Sequence, residues 1–513
     1  MLAPRRVTNL MRRTMAQLVE LGGRSFALQH AAHGAPRPVP GGVVLPPGRT
    51  AILHGLGDAS FYRHGHNSWS PCGWRRLSEA PLRVPNPQRL VTADDPTFDD
   101  PTRHHSSAVA ALQDADGRTL LLGALGLDTP RLAADHDTLT GWYATGGAEW
   151  FLAFGTEDEV FTAYTDQLAE RFGAGGRRAG NVWCSWYAYY ETITETQLAK
   201  DIADLTGLPF DVVQIDDGWE ELVGDWQPNA KFPSGMRSLA ERITDAGFTA
   251  GLWLAPFIAL PHSRIATERP ELLLRGPDGR PVVAGYNWGG PYHALDLARA
   301  DALEHVAGLI RTVVHDWGYR YLKLDFINAG AAPVPGTDRH REELYRAALR
   351  VIRETAGDDV YLLGSGAVLL PSLGLLDGLR SGPDVAPMWD NYASVDPSDA
   401  TARNAVANSV HRLWQSRLVE VDPDVIYFRS KLNLLTSQQL QWLRDLADIC
   451  RFRAVSDPPS WLTPAELEDL RDYLDATPAI RRLGRYRFSI DGRDVDFGPA
   501  VAADTGGQLY PIS

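Results

Sequence analysis

The sequence predicts a multidomain protein of α/β and β class. A central (β/α)8 barrel is expected to follow an antiparallel β-sandwich and to precede a short C-terminal β segment. The 513 residues exceed what one ordinary core accommodates. Short alternating runs fill the first third of the chain, and after it short apolar runs alternate with longer amphipathic segments. We therefore expect domains over residues 1–172, 173–474 and 475–513.

The β-sandwich is predicted from a region rich in Gly, Pro and Thr. Its apolar runs, such as RSFALQHAAH, RTLLLGALGL and AEWFLAF, are separated by the turn signals PPG, DADG and ATGG. This pattern is typical of antiparallel strands joined by short turns. The glycine-rich stretch at residues 173–176 marks the expected boundary with the barrel.

The barrel is predicted from eight short apolar runs that alternate with helical patterns. The expected strands are 181–187, 211–217, 249–257, 319–326, 360–366, 377–384 and 417–424, with an eighth near 448–452. Between them, segment 300–318 repeats apolar residues at a 3.6-residue period, as an amphipathic helix does. In the C-terminal segment, GRYRFSIDGRDVDF predicts a β-hairpin with Asp-Gly at its turn.

Composition narrows the class of protein and its partners. The 50 Lys+Arg against 64 Asp+Glu give a formal net charge of −14, which argues against nucleic acid as a main partner. Three cysteines, Cys72, Cys184 and Cys450, imply no disulfide framework and favour a reducing compartment. The basic N-terminus lacks the apolar core of a signal peptide, and no 18-residue apolar run occurs. We expect a cytoplasmic protein without a membrane span, starting at either Met1 or Met15.

Charged residues gather where the predicted strands end. They are Asp216 and Asp217, Lys323 and Asp325, Arg380 and Asp384, and Asp422 and Asp424. In a (β/α)8 barrel the carboxyl ends of the strands meet at one face, and the active site lies there. The sequence therefore predicts a carboxylate-rich active site.

Two of these carboxylates are expected to differ in charge. Lys323 and Asp325 are two residues apart on a strand, so they share one face, and the ammonium favours an ionised carboxylate suited to nucleophilic attack. Asp384 follows Pro383 in a loop, where burial and a neighbouring anion would keep it protonated. An unequal carboxyl pair is the arrangement that glycoside hydrolysis uses. A purely structural Lys323–Asp325 ion pair is the alternative.

Aromatic residues lie near the predicted strand ends or in the N-terminal domain. They are Trp69, Trp186, Tyr187, Trp219 and Trp253. Sugar rings stack on such side chains, but tryptophans also fill cores, and the sequence leaves both readings open. For Asp216 and Asp217 the alternative to a binding role is a helix cap with an exposed neighbour.

Other chemical motifs are weak. His64 and His66, like His104 and His105, have metal-like spacing but no carboxylate partner at a standard spacing, which is more typical of surface or core histidines. Segment 364–366, Gly-Ser-Gly, lacks a third glycine for a dinucleotide loop and does not fit the serine hydrolase motif.

Eight motifs together resemble the α-galactosidases of glycoside hydrolase family 36. They are SWSPC, WCSWY, QIDDGW, GLWLAPF, YLKLDF, LGSG, DGLRSGPDVAPMW and DPD, in the family's order between about residues 65 and 425. The resemblance implies an N-terminal β-supersandwich, a central TIM barrel and a C-terminal β-domain, which is short here. It also implies a retaining mechanism with no metal or other cofactor.

The resemblance assigns roles by matching positions. Asp325 matches the nucleophile and Asp384 the acid/base, while Asp216 and Asp217 match the pair that holds the galactose hydroxyls at C4 and C6. Further sugar contacts are implied for Trp69, Trp186, Tyr187, Trp253, Lys323 and Arg380. Ser365 stands where several relatives have cysteine.

The function implied is a retaining exo-α-galactosidase that hydrolyses terminal non-reducing α-D-galactosyl residues of oligosaccharides by double displacement. The alternatives are a galactosyl transferase of the raffinose-synthase kind, a non-catalytic carbohydrate-binding protein, and a metal-dependent barrel hydrolase using His64 and His66. The natural leaving group, the substrate length and the choice between monomer and homo-oligomer stay open.

Overall fold

A computed structural model of the chain describes residues 17–30, 34–334, 336–337, 339–391 and 395–502. The choice between Met1 and Met15 as the start lies outside these residues. Within these ranges we find no helix that combines the length and the apolar character needed to cross a bilayer.

The centre of the described chain is a curled parallel sheet. In spatial order its strands are Glu420–Asp422, Gly378–Arg380, Tyr361–Gly364, Tyr321–Leu324, Thr249–Leu254, Val212–Ile215, Asn181–Cys184, Arg453–Val455 and Val425–Ile426. Every residue of Val212–Ile215, Tyr321–Leu324 and Tyr361–Gly364 is buried, as expected for strands covered on both faces. This sheet, with the antiparallel sheets around it, fits a multidomain TIM-barrel architecture.

The seventh parallel strand is interrupted. Its first part, Glu420–Asp422, lies within the predicted range 417–424 and pairs with Gly378–Arg380. Its second part, Val425–Ile426, lies beyond that range and pairs with Arg453–Val455. Between the two parts, Asp424 has a φ of 80°, in the left-handed region. The break turns the Asp424 side chain towards the loop that follows the sixth strand, where Val385 N donates to Asp424 Oδ2 at 2.8 Å.

The strand expected near 448–452 exists but begins just after those residues. Residues 448–450 end the helix Ser437–Cys450, and the strand is Arg453–Val455. A capping box at Thr436 starts this helix, and Leu443, Leu446 and Cys450 bury one face of it. Residues 448–450 therefore pack as part of a helix and not as a strand.

Two antiparallel sheets precede the parallel sheet, as predicted. The first has the order Gln17–Leu21, Arg24–His30, Thr50–Leu53, Thr138–Tyr143, Pro130–Ala134 and His104–Ser107. The second has the order Arg37–Val39, Gly42–Leu45, Trp150–Thr156, Arg118–Ala124, Val109–Gln113, Ser60–Arg63 and Gly73–Arg76. Helix Glu157–Phe172, opened by a capping box at Thr156, leads from them towards the parallel sheet.

The remaining elements connect and cover these sheets. The other α-helices are Pro87–Ala93, Trp186–Tyr189, Glu195–Leu205, Gly235–Asp245, Arg264–Glu268, Ala300–Arg311, Arg341–Ala356, Leu369–Ser372, Ala402–Arg412, Pro464–Asp475 and Gly498–Val501. Short 3₁₀ turns lie at Tyr190–Thr192, Pro270–Leu272, Ile327–Ala331, Leu413–Arg417 and Pro459–Trp461, and a π turn at Thr312–Asp316. The small antiparallel sheets are Glu220–Leu222 with Asp225–Pro228, and Ile258–Ala259, Gly290–Ala294 and Val283–Asn287.

The predicted C-terminal hairpin is confirmed. Arg487–Ile490 pairs with Arg493–Asp496, and Ile480–Arg482 adds a third antiparallel strand. Asp491 and Gly492 at the turn have φ values of 49° and 83°. Positive φ at both central residues is the requirement of a type I′ turn.

Residues 64–72, here called the Trp69 loop, belong to the antiparallel region and form hydrogen bonds with the segment after a parallel strand. Ser68 N donates to Ala367 O at 2.9 Å, and Ala367 N donates to Ser68 Oγ at 3.2 Å, just beyond the fifth parallel strand. Asn67 forms an isolated bridge with Val368. These bonds carry Trp69 to the carboxyl ends of the parallel strands.

Candidate active site

A cavity of about 370 Å³ opens at the carboxyl ends of the parallel strands. Eight of the eleven predicted site residues line it: Trp69, Trp186, Asp216, Asp217, Trp253, Lys323, Asp325 and Asp384. Tyr187, Ser365 and Arg380 do not line it and lie behind its wall. The prediction of a carboxylate cluster at the strand ends agrees with this geometry.

Asp325 is held by hydrogen-bond donors on both oxygens. Trp253 Nε1 donates to Oδ2 at 3.0 Å, and the backbone N of Phe326 donates to Oδ1 at 2.9 Å. Lys323 Nζ lies 3.9 Å from Oδ2. These contacts fix the orientation of the Asp325 carboxylate and place a positive charge beside it.

Lys323 contacts a second carboxylate more closely than the expected one. Its Nζ donates to Asp216 Oδ2 at 2.9 Å, a shorter distance than that to Asp325. Burial opposes the charged ammonium, but the carboxylates of Asp216 and Asp325 outweigh it and raise the pKa of Lys323. The ammonium therefore links the ends of the second and fourth parallel strands.

Asp384 lies in a contrasting environment. Its half-buried side chain lines the cavity, and Arg380 Nη1 donates to its Oδ1 at 3.1 Å. Burial by the surrounding loops, followed by the nearby Asp424 carboxylate, raises the pKa of Asp384 to about 6, against the opposing effect of Arg380. A carboxyl group of this kind can hold a proton near neutral pH and release it.

Asp216 and Asp217 are 2% and 5% exposed, and the chain after them forms the strand Glu220–Leu222. The alternative of a helix cap with an exposed neighbour is therefore wrong. Trp288 Nε1 donates to Asp217 Oδ2 at 2.9 Å. Burial, together with the adjacent Glu220 carboxyl group, raises the pKa of Asp217 well above its usual range. The pair can therefore both accept and donate hydrogen bonds to a polyol.

The three predicted residues behind the wall differ in what they contact. Arg380 Nε donates to Asp422 Oδ2 at 2.9 Å, and the Tyr187 hydroxyl donates to Asp424 Oδ2. Ser365 is fully buried, and its Oγ has no hydrogen-bond partner among the described residues. Arg380 also donates to Asp384 and Asp424, so it and Tyr187 share the Asp424 carboxylate.

The aromatic residues divide between the cavity and the core. Trp69 packs edge to face on Phe326, with ring centroids 5.0 Å apart, and both rings line the cavity. Trp219 is completely buried and donates from Nε1 to Trp253 O at 3.1 Å. The core-filling alternative is therefore correct for Trp219.

The chain is similar to several known proteins. The Melibiase family profile matches residues 177–354. The structure of an α-galactosidase from Thermus thermophilus in complex with p-nitrophenyl α-D-galactopyranoside is 42% identical in sequence, with a TM-score of 0.90. The alignment covers 94% of this chain and 99% of that one.

The chain belongs to the family 36 α-galactosidases. A variant of the family 36 enzyme AgaA from Geobacillus stearothermophilus shares the fold, with a TM-score of 0.58 at 15% identity over 91% of this chain and 71% of that one. Curated α-galactosidase AgaA from the same organism is 27% identical over 188 residues. That match covers 35% of this chain and 24% of the relative, so the chain matches about a quarter of the relative's length.

Several residues at this family 36 cavity were missed in the sequence. Trp288 reaches Asp217 from the tip of the hairpin Val283–Asn287 and Gly290–Ala294, a contact that no local pattern indicates. Phe326 follows Asp325 directly and could have been noted as an aromatic at a strand end. The mouth also includes polar residues of helix Pro87–Ala93, which belongs to the region predicted as a β-sandwich.

Proposed function

We propose that this chain is a retaining exo-α-galactosidase that hydrolyses terminal non-reducing α-D-galactosyl residues of oligosaccharides. The supporting observation is the unequal pair in one cavity. Asp325 is surrounded by donors and a cation, whereas burial and Asp424 raise the pKa of Asp384 to about 6. Membership of the α-galactosidase family supports the choice of sugar.

The proposed reaction has two displacements. Asp325 attacks C1 of the galactosyl residue, the C1–O bond breaks, and Asp384 gives its proton to the leaving oxygen. Asp384, now a carboxylate, takes a proton from water, whose oxygen attacks C1 and releases Asp325. Two inversions at C1 give net retention, and the second step restores the charges of both residues.

Galactose recognition is assigned to Asp216 and Asp217, with the C4 and C6 hydroxyls as their partners. Both residues are buried, so an unpaired oxygen there is costly. Glucose places its C4 hydroxyl differently and would leave a hydrogen bond unmade, a loss of about 1–3 kcal/mol. Trp69, Trp186 and Trp253 supply apolar surface for the ring faces.

The behind-wall residues have indirect proposed roles. Arg380 and Tyr187 would hold Asp384 and Asp424 in position, whereas Ser365, fully buried behind the wall, is assigned no contact with the sugar. No metal or other cofactor enters the proposed mechanism.

We also infer the finer architecture. The interrupted seventh strand, with one part paired on each side, supports a closed (β/α)8 barrel. The preceding sheets would form a β-supersandwich and the sheet after residue 475 a short C-terminal β extension, with domains over 1–172, 173–474 and 475–513. For location we propose the cytoplasm, supported by the buried, unpaired Cys72, Cys184 and Cys450. Recovery of the protein in the soluble fraction of lysed cells, and not in the medium, tests this.

Azide rescue of two variants tests the proposed function and both roles. Asp325→Ala should hydrolyse p-nitrophenyl α-galactoside hardly at all, and azide should restore turnover and give the β-galactosyl azide, because azide replaces the nucleophile in one displacement. Asp384→Ala should still form the galactosyl-enzyme, because p-nitrophenolate needs little protonation. Azide should then release the α-galactosyl azide.

Product anomers identified by NMR decide the outcome. Exchanged anomers would mean that the two roles are exchanged, and full activity in both variants would contradict the proposed site. The matching α-glucoside is the control for sugar recognition. Wild-type turnover of it at a rate comparable with the α-galactoside would contradict the role of Asp216 and Asp217.

A further inference from the structure

The solvent exposure of the lining residues increases from the bottom of the cavity to its mouth. At the bottom, Asp216, Asp217 and Lys323 are at most 5% exposed. At the mouth, Tyr286 is 41% exposed and the Arg89 side chain 45%. Both residues line the same cavity as the bottom residues. A galactosyl residue bound at the bottom therefore directs its substituent outward, to the mouth that Arg89 and Tyr286 help to line.

Tyr286 presents an exposed aromatic ring at this opening. It lies on the strand Val283–Asn287, and its backbone N donates to Thr92 Oγ1 at 3.4 Å. The exposed part of the ring is available to a ligand at the mouth of the cavity, which Tyr286 lines. The C–H faces of a pyranose ring are apolar and flat, and they match an aromatic face of this size.

Arg89 supplies donors beside this ring. Its Nη2 lies 2.6 Å from Asp399 Oδ1 and its Nη1 3.5 Å from Ser398 O. A guanidinium has five N–H donors, so these two contacts leave others for the oxygens of a neutral sugar. Asp399 is 2% exposed, and this buried partner holds the cation in a fixed position.

The helix that carries Arg89 is anchored at its end. The carbonyl oxygen of Thr92 accepts hydrogen bonds from Asn67 Nδ2 at 3.0 Å and from Asn328 Nδ2 at 2.9 Å. These donors come from the Trp69 loop and from the segment after Asp325. A ligand at the mouth therefore meets side chains that are already held in place, which lowers the ordering cost of binding.

We propose that Tyr286 and Arg89 form the subsite for the leaving sugar, a neutral pyranosyl ring joined to C1 of the galactosyl residue. Tyr286 stacks on a face of this ring, and Arg89 donates hydrogen bonds to its oxygens. This inference rests on the proposed function and extends it.

Two substrates that differ in the leaving group test the subsite. Stachyose places a sugar at the mouth, whereas the leaving group of α-D-galactosyl fluoride is one atom and reaches neither residue. Tyr286→Ala and Arg89→Ala should each lower kcat/KM for stachyose about tenfold and leave that for the fluoride within about twofold. Tyr286→Phe, which keeps the ring, should keep kcat/KM for stachyose within about twofold.

Arg299→Ala is the matched control. Its side chain is 43% exposed and pairs with Asp301 at 2.8 Å, but it does not line the cavity, so neither substrate should be affected. Unchanged stachyose hydrolysis in both alanine variants, or equal losses on both substrates at unchanged Tm, would overturn the subsite. Equal losses in Tyr286→Phe and Tyr286→Ala would overturn the stacking role. A wild-type chain that hydrolyses neither substrate would instead contradict the proposed function.

Discussion

At the scale of single residues, Asp424 takes no direct part in the proposed chemistry, but its charge helps to raise the pKa of Asp384, the proposed acid. Its Oδ2 accepts hydrogen bonds from Arg380 Nη1 at 2.8 Å, from Val385 N at 2.8 Å and from the Tyr187 hydroxyl. Burial and then the Asp424 charge raise the pKa of Asp384. The proton of the proposed acid therefore depends on a neighbour outside the cavity wall.

The pH dependence of Asp424→Asn tests this dependence. In the wild type, kcat/KM for stachyose should fall as pH rises through about 6, because only protonated Asp384 can protonate a sugar leaving group. Asparagine keeps the shape but removes the negative charge, so the pKa of Asp384 falls and the alkaline limb should move to lower pH. A pH profile of kcat/KM measures the shift, and a limb that stays in place or moves to higher pH would contradict the role of Asp424.

The sequence predicted which residues lie together at the strand ends, but it did not predict which of them form the closest pairs. Strand-end charges located Asp216, Lys323, Asp325 and Asp384, because parallel strands bring their carboxyl ends together. The closer partner of Lys323 is Asp216, however, not the neighbour two residues away. Distances across a curled sheet depend on its curvature, and the spacing of residues along one strand does not reveal that curvature.

At the scale of elements, strands that are buried on both faces were predictable and connections were not. The first seven predicted strands each contain an observed strand, since continuous apolar runs suit a covered parallel sheet. The eighth was placed a few residues too early, because a short apolar run can form either a helix or a strand. Side-chain packing along the helix Ser437–Cys450 decides between the two. The hairpin that carries Tyr286 and Trp288 depends on tertiary contacts.

The turn after Asp217 is an element whose geometry only glycine allows. Gly218 has a φ of +110°, and a Cβ there would lie 2.7 Å from the Cα and 2.9 Å from the carbonyl oxygen of Glu191. Backbone atoms cannot move aside as a flexible side chain can. The close approach therefore fixes Asp217 relative to the segment that follows the first parallel strand.

Gly218→Ala should lower the free energy of unfolding by about 3 kcal/mol, because strain at positive φ and a backbone clash add. It should also lower kcat/KM, since the clash displaces Asp217. Gly247→Ala is the matched control, with a φ of +95° but no atom within 4 Å of the added Cβ, and should cost about 1 kcal/mol without affecting kcat/KM. Urea unfolding and steady-state kinetics measure both effects. Equal costs for the two variants would contradict the contact with Glu191.

At the scale of the whole molecule, the cavity needs parts from distant regions of the chain. The Trp69 loop comes from the antiparallel region, and Asp384 follows the sixth parallel strand. Arg412, at the end of helix Ala402–Arg412, is 1% exposed and contacts the Trp69 loop and Ser381, three residues before Asp384. Its guanidinium donates to the carbonyl oxygens of His64, Asn67, Ser68, Ser70 and Ser381.

Arg412→Met keeps much of the side-chain volume but leaves these buried carbonyl oxygens without their donor. The free energy of unfolding should fall by about 3–5 kcal/mol, the cost of breaking a buried charged network. KM for stachyose should rise more than kcat falls, because Trp69 loses its support while Asp325 keeps its own donors. Urea unfolding and kinetics measure the two effects, with Arg299→Met as the exposed control. Reduced stability with unchanged KM would show that the Trp69 loop reaches the cavity without Arg412, and unchanged stability would contradict the linking role altogether.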